Sequence, residues 1–172
     1  MRLGTVFLLI LLLGVSPAAS QVAGDKTVVP GTRIGQWTLE MSIQDLMRMN
    51  GPPSTRPSVV PTFIPRMVWY SWDPLGVAAG THDRRKTQYL AIHQTRELVT
   101  QRGIGYRSSK KSVLAAYGEP TLEGDIFVQG RIVTVVLYDK IGLAVFLDED
   151  VVQVLLIFRP GEAGDLISMC GG

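Results

Sequence analysis

The stretch WDPLGVAA at Trp72 to Ala79 returns 66 residues later as YDKIGLAV at Tyr138 to Val145. An aromatic, an Asp, one free position, Leu or Ile, Gly, an aliphatic and Ala recur in register. A recurrence this dense asks for a fold in which one structural unit is built twice, and it constrains the architecture more than composition does.

The agreement extends outward from that stretch. Ser42 to Pro53 reads as a short helix. Ser42 is a natural N-cap, Asp45 lies in the first turn where negative charge is favoured, Ile43, Leu46 and Met47 share a face, and Gly51 with Pro53 stops it. Ser109, then Val113, Leu114 and Tyr117, then Gly118 with Pro120 repeat the plan. Ile34-Gly35 and Ile104-Gly105 lead into the two helices. Three strand-like runs follow each helix: Met67 to Trp72, Leu75 to Gly80 and Thr87 to Gln94, then Ile132 to Tyr138, Ile141 to Leu147 and Val151 to Phe158. Asp73-Pro74, Thr81 to Lys86, Asp139-Lys140 and Asp148 to Asp150 supply the turns. The recurring Gly76 and Gly142 are predicted inside a strand, where a bulge or a crossing helix needs the space.

The predicted fold class is α+β: two tandem repeats, each a short helix followed by a three-stranded antiparallel meander, with the helices packed on one face of the sheet. One copy is too small to be stable alone, so the two must share a core or a sheet. The boundaries are a signal peptide over 1–20, a linker over 21–32, a first repeat over 33–98, a second over 99–160 and a tail over 161–172. Both alternating faces of Val151 to Phe158 are apolar, which predicts a strand covered on both sides.

The first twenty residues put Arg2 ahead of an apolar run and end on Ala18-Ala19-Ser20, the layout of a secretory signal peptide cleaved before Gln21. That run is shorter than the roughly 20 residues of a membrane span. No integral membrane span is expected, and the location is periplasmic or extracellular. With 46% hydrophobic and 19% charged side chains, the remainder suits one medium domain with its own core. Its charge is nearly balanced, so no nucleic-acid partner is expected, because phosphate binding needs a clustered basic excess. Arg84-Arg85-Lys86 reads as a solvated hairpin loop. Cys170 is the sole cysteine, which rules out an internal disulfide and a lipid-acceptor Cys behind the signal peptide. A homodimer is left open.

The pattern Met41-Ser42, Leu46, Gly51-Pro52-Pro53, repeated as Ser108-Ser109, Val113, Gly118-Glu119-Pro120 and followed each time by three strands, resembles the repeat of the beta-lactamase inhibitor protein and of the small outer-membrane assembly lipoproteins of the SmpA/OmlA type. The resemblance covers roughly residues 33 to 159. It implies a tandem two-layer α+β fold used for binding proteins, without catalysis.

Residues present in both halves, Asp73 and Asp139, Gly76 and Gly142, Gly51 and Gly118, Ser42 and Ser109, read as turns, caps and packing. Function should therefore lie in what the halves do not share. His82 and His93 have no partner at metal-ligand spacing, Ser108 to Lys111 reads as a helix cap rather than a Ser and Lys nucleophile pair, and Asp148-Glu149-Asp150 is too tight for a calcium loop. Gly103-Ile104-Gly105 lacks the rest of a nucleotide fingerprint. No catalytic residues, no metal ligands and no cofactor are assigned, and the chain is read as not an enzyme.

The unshared features resemble a binding surface. Trp37, Trp69 and Trp72 all lie in the first half with Phe63 and Tyr70, and five prolines stand between Pro52 and Pro65. Proline restrains a free loop and large aromatics give contact area, which favours docking. Trp69 and Trp72, alternating with Tyr70, are expected to share a face. The expected function is a secreted or periplasmic, non-enzymatic protein-binding or envelope-associated module, with a protein partner in the envelope or outside the cell. A carrier or sensor of a small apolar ligand and a secreted hydrolase with an unrecognised site are the alternatives.

Overall fold

A computed structural model describes residues 25–54, 64 and 67–170. In chain order it contains β1 (Thr27–Val29), β2 (Arg33–Ile34), β3 (Trp37–Thr38), α1 (Ile43–Asn50), β4 (Val68–Trp72), β5 (Val77–Thr81), β6 (Tyr89–His93), β7 (Val99–Thr100), α2 (Lys110–Tyr117), β8 (Leu122–Val128), β9 (Arg131–Tyr138), β10 (Leu143–Asp148), β11 (Val151–Ile157) and α3 (Gly164–Cys170). The signal-peptide segment lies outside the described residues.

Both early helices begin where a serine side chain can satisfy an orphan backbone donor. Ser42 Oγ accepts from Asp45 N at 3.0 Å, and Ser109 Oγ accepts from Ser112 N at 3.1 Å. They end at Gly51 and Gly118, both at positive φ, whose N–H groups close onto Met47 and Leu114 carbonyls at 2.9 and 2.8 Å.

The strands do not form two separate meanders, and the α+β prediction of two helix-plus-meander repeats is corrected here. Strands make up 41% of the structure, about twice the usual share, so the protein is mostly β. One antiparallel sheet runs β4-β5-β6-β11-β10-β9-β8, and a second, four-stranded sheet runs β3-β2-β1-β7. The seven strands become one sheet because β6 pairs with β11, with Ile92 opposite Leu155 and Leu90 opposite Ile157. Pairing across that much sequence leaves no mark in local periodicity. The small sheet combines antiparallel hairpins with a parallel pair, β1 against β7.

The helices are not confined to one face either. On one face, Trp72, Val77, Ala79, Leu90, Ile92 and Ile157 bury under Ile43 and Leu46 of α1 and under Val28, Ile34 and Trp37 of the small sheet. The same face continues through Val136, Val145, Leu147 and Leu155, closed by Val113 of α2. The opposite face, with Ala91, Leu137, Phe146 and Leu156, packs against Ala163 and Leu166 at α3. This is why β11 is apolar in both directions: Leu155, Leu156 and Ile157 are each fully buried, on alternating sides.

The recurrent stretch forms a 3-10 turn, Asp73–Leu75 or Asp139–Ile141, whose last residue hands over to a left-handed glycine. Gly76 and Gly142 thus precede β5 and β10 rather than lying inside them. They have φ of +65° and +66°, and a Cβ would stand 2.4 Å from the His93 carbonyl oxygen or 1.9 Å from that of Phe158. The space is taken by backbone from the end of β6 or β11, not by a crossing helix.

Candidate functional site

Trp37 and Trp72 are core residues, 4% and 3% exposed, set edge to face with ring centroids 4.9 Å apart. Trp72 also donates its indole N–H to the Gly51 carbonyl at 3.0 Å, fastening the end of α1 to the sheet. Trp69 lies on the other face, above Gly80, where a Cβ would come within 2.9 Å of its ring. Its neighbour there is Tyr89, 6.5 Å away, and its buried Nε1 has no acceptor among the described residues. Trp69 and Trp72 are three residues apart, and a strand alternates with period two, so they cannot share a face. Tyr70, half-buried, packs on the Trp72 side. Phe63 and most of the proline run lie outside the described residues. The structure therefore brings Trp37, Tyr70 and Trp72 together in a core and separates Trp69 from them.

Trp37 still borders an open cleft of about 440 Å³, walled by Ile34, Pro74, Leu75 and Leu98 and rimmed by the Lys26–Glu97 ion pair at 2.8 Å. A second cleft of about 410 Å³ lies at the other recurrent turn, floored by Tyr117 and Tyr138.

Ser71, Asp73 and His93 meet under the first turn, and their geometry bears on hydrolysis. Ser71 Oγ donates to the Asp73 carboxylate and stands 3.3 Å from His93 Nε2, which is itself 3.8 Å from the same carboxylate. A nucleophilic triad needs the Asp on Nδ1 so that Nε2 is free to take the serine proton. Here the Asp holds the serine directly, and Nδ1 makes no well-formed hydrogen bond among the described residues. Ser71 is 3% and His93 1% exposed, so no substrate reaches them. Burial holds the imidazole below its ordinary pKa, with the Asp73 charge and the Val77 backbone opposing. The cluster is a polar tie joining β4 to β6, extended by Ser54 N donating to the Ser71 carbonyl at 2.6 Å and Asp73 N donating to Ser54 Oγ at 3.0 Å. Among the described residues no three His, Cys, Asp or Glu side chains are grouped to hold a metal.

The exposed apolar surface lies at the other end of the sheet. Phe127 of β8 and Ile132 of β9 are 77% and 65% exposed and stand opposite each other in register. They share the face carrying Glu123 and Asp125, whose cross-strand partners are Val136 and Thr134. Lys110 at the start of α2 is ringed by carboxylates, 2.8 Å from Glu123 and 3.9 Å from Asp150, with Asp125 adding to the field. Those contacts raise its pKa, the Glu123 hydrogen bond most. Arg131 pairs with Asp148 at 3.1 Å. Four carboxylates, Glu123, Asp125, Asp148 and Asp150, thus stand against Lys110 and Arg131. β8 ends the sheet, and among the described residues no strand pairs with its outer edge.

Nothing in the sequence singled out this strand. Leu122-Glu-Gly-Asp-Ile-Phe-Val holds a glycine and two acids, which depress strand propensity. The usable signal was the alternation of Leu122, Gly124, Ile126 and Val128 with Glu123, Asp125 and Phe127, interrupted after Val128 by Gln129-Gly130.

No protein-family model and no curated protein matches the chain. A solved structure that it resembles is that of a DUF4309 family protein (YjgB) from Bacillus subtilis subsp. subtilis str. 168, at 13% identity and a TM-score of 0.49, with 75% of this chain and 88% of that one covered.

Proposed function

We propose that this protein is an exported, non-enzymatic module that binds a protein partner, and that the contact surface is the β8–β9 hairpin. One observation carries the reading: Phe127 of β8 and Ile132 of β9 form an exposed cross-strand apolar pair on a hairpin whose outer strand, β8, has no pairing strand on its free edge among the described residues. Large aromatic and aliphatic side chains left in water lose the stabilisation of burial, and unpaired strand edges invite partners. The first-half aromatics support a different role, since Trp37 and Trp72 fill the core. Export rests on the 1–20 segment alone. Among the described residues no helix is long and apolar enough to cross a membrane.

The test begins with a partner captured from the cell envelope by the mature protein and then purified. Calorimetric titration of that partner should lose about tenfold or more in affinity for Phe127→Ser with Ile132→Ser, each aromatic or aliphatic anchor contributing on the hot-spot scale. The melting temperature should hold, because both side chains are solvent-exposed in the free protein. Undiminished binding by the double variant would defeat the proposal.

A second reading has its own observation. The cleft beside Trp37 lies within the size range of small-ligand sites and has an apolar floor, which suits a small apolar ligand. Displacement of a solvatochromic dye, lost in Leu98→Asp, would establish it.

A further inference from the structure

We infer that the partner engages β8 as an added antiparallel strand, and that this strand alternates apolar and basic side chains. The inference rests on the reading of the β8–β9 hairpin as the contact surface. β8 offers seven residues, Leu122–Val128, at the end of an antiparallel sheet. The backbone groups on its outer side have no partner strand among the described residues, and an incoming segment can satisfy them with ladder hydrogen bonds. Antiparallel addition is the more stable pairing per residue and continues the existing pattern.

Side-chain chemistry then follows from cross-strand geometry. Residues directly opposite lie about 4.5–5.5 Å apart, close enough for charge and shape to decide which pairs are favourable. Along the α2 face, β8 presents Glu123, Asp125 and Phe127 in order, all exposed. An antiparallel guest must therefore read, from its N-terminal side, an apolar or aromatic residue opposite Phe127, then Lys or Arg opposite Asp125, then Lys or Arg opposite Glu123. The positions between face the α3 side, against Ile126 and Gly124. Ile126 is buried, and Cys170 lies where a Cβ on Gly124 would come within 3.1 Å. Those guest positions should be aliphatic and small.

The same geometry argues against a second copy of this chain. Self-pairing centred on Asp125 sets Asp125 against Asp125, and centring on Gly124 sets Glu123 against Asp125. Centring on Ile126 sets Asp125 against Phe127. No such register supplies a cation to Asp125, which is held only by the Thr134 hydroxyl at 2.7 Å, or a second one to Glu123 beside Lys110, whereas a basic guest supplies both. The acidic surroundings select the guest. The open edge and the exposed apolar pair provide the place for it.

The test uses the mature protein and three synthetic peptides: the cores Phe-Val-Lys-Ala-Lys and Phe-Val-Glu-Ala-Glu, and the lysine core with the backbone nitrogens of both lysines methylated. Fluorescence anisotropy should show the lysine peptide binding about tenfold or more tighter than the glutamate peptide, with the advantage shrinking at 0.5 M salt. Amide exchange should slow within 122–128 on binding, and the N-methylated peptide, whose two blocked lysine amides are the ones that face β8, should fail. Asp125→Lys should reverse the preference towards the glutamate peptide. Asp125→Asn, a smaller perturbation with melting checked alongside, should reduce it. Equal binding of the lysine and glutamate peptides would overturn the charge rule, and equal binding of the N-methylated peptide would overturn strand addition. Self-association of the protein abolished by Phe127→Ser would make a second copy the occupant and overturn the inference. In all three outcomes dependence on Phe127 keeps the hairpin surface itself. If no peptide binds and the purified partner ignores Phe127→Ser with Ile132→Ser, both the inference and the underlying reading fall.

Discussion

Replacing Gly142 by alanine tests the physical account of the recurrent stretch. Gly142 has φ of +66°, a region where an L side chain costs about 1–2 kcal/mol. Its Cβ would stand 1.9 Å from the Phe158 carbonyl oxygen and 2.8 Å from Gly31 Cα, both backbone atoms that no rotamer change can move. Relief requires the ends of β10 and β11 to part. The Gly142 carbonyl accepts from Phe158 N at 3.1 Å and Gly31 N at 3.2 Å, and weakening both costs about 1 kcal/mol each. The total is about 3–4 kcal/mol, a large part of the 5–15 kcal/mol that holds a typical domain together. For a chain of this size that lowers the melting temperature by about 10 °C. Gly103 is the control, because it has φ of +75° with nothing within 4 Å of a built Cβ. Gly103→Ala should show the conformational cost alone. Urea titrations followed by far-ultraviolet circular dichroism would give both values, with unchanged m confirming comparable transitions. If Gly142→Ala is no less stable than Gly103→Ala, the close approach of β11 is not what requires glycine.

Three further expectations follow from the packing. The His93 imidazole is held below its ordinary 6.5 by burial, so the unfolded chain takes up its proton first as pH falls. The contribution is full above about 6.5 and declines towards the lower native value. Urea midpoints measured from pH 7.5 to 5 should therefore fall for the wild type and fall less for His93→Gln, and parallel slopes would remove His93 from the account. Ser42→Ala and Ser109→Ala should each cost about 1 kcal/mol and add in the double variant, because the caps start different helices; a strongly non-additive double variant would show the helix ends to be coupled. Trp37→Ala should cost about 3–5 kcal/mol as a core truncation, so a variant melting like the wild type would return Trp37 to the surface.

What the residues disclosed and what they withheld divide along the range of the forces involved. Ser42 and Ser109 cap helices because an Oγ three residues from a free N–H is a local contact, readable from spacing. The two-sided burial of β11 was equally readable, since eight consecutive residues with no polar face but Gln153 have only one explanation. β8 was hidden by Gly124, Glu123 and Asp125, whose weak strand propensity is overridden by pairing with β9 along the whole element. The junction of β6 with β11 and the parallel pair of β1 with β7 were hidden because register between distant segments is a tertiary choice. The grouping of Trp69 with Trp72 failed on strand period, and that misplacement drew the expected surface towards the core. Phe127 and Ile132 became visible only with exposure, because an exposed Phe and a buried Phe read alike in a sequence.

The recurrent turn shows how one backbone serves two halves that then diverge. Trp72 and Tyr138 enter it at φ, ψ of −117°, 76° and −119°, 77°, and Gly76 and Gly142 leave it at 65°, 31° and 66°, 47°. The side chains around it differ. Asp73 is bound by Ser71 and approached by His93, whereas Asp139, with Leu137 in the position matching Ser71, has a buried Oδ1 with no partner among the described residues. Backbone geometry that matches within a few degrees at the entry, with and without those hydrogen bonds, cannot be set by them. The left-handed glycine and its backbone neighbours set it, and the aspartate side chain is left to local use. In the first half that use ties β4 to β6, at the end of the sheet where Ser54 also bonds to β4. In the second half an additional strand, β8, extends the sheet beyond β9 and presents an edge with no pairing strand among the described residues. The halves therefore differ most at the two ends of the sheet, and the end left open carries the exposed apolar pair.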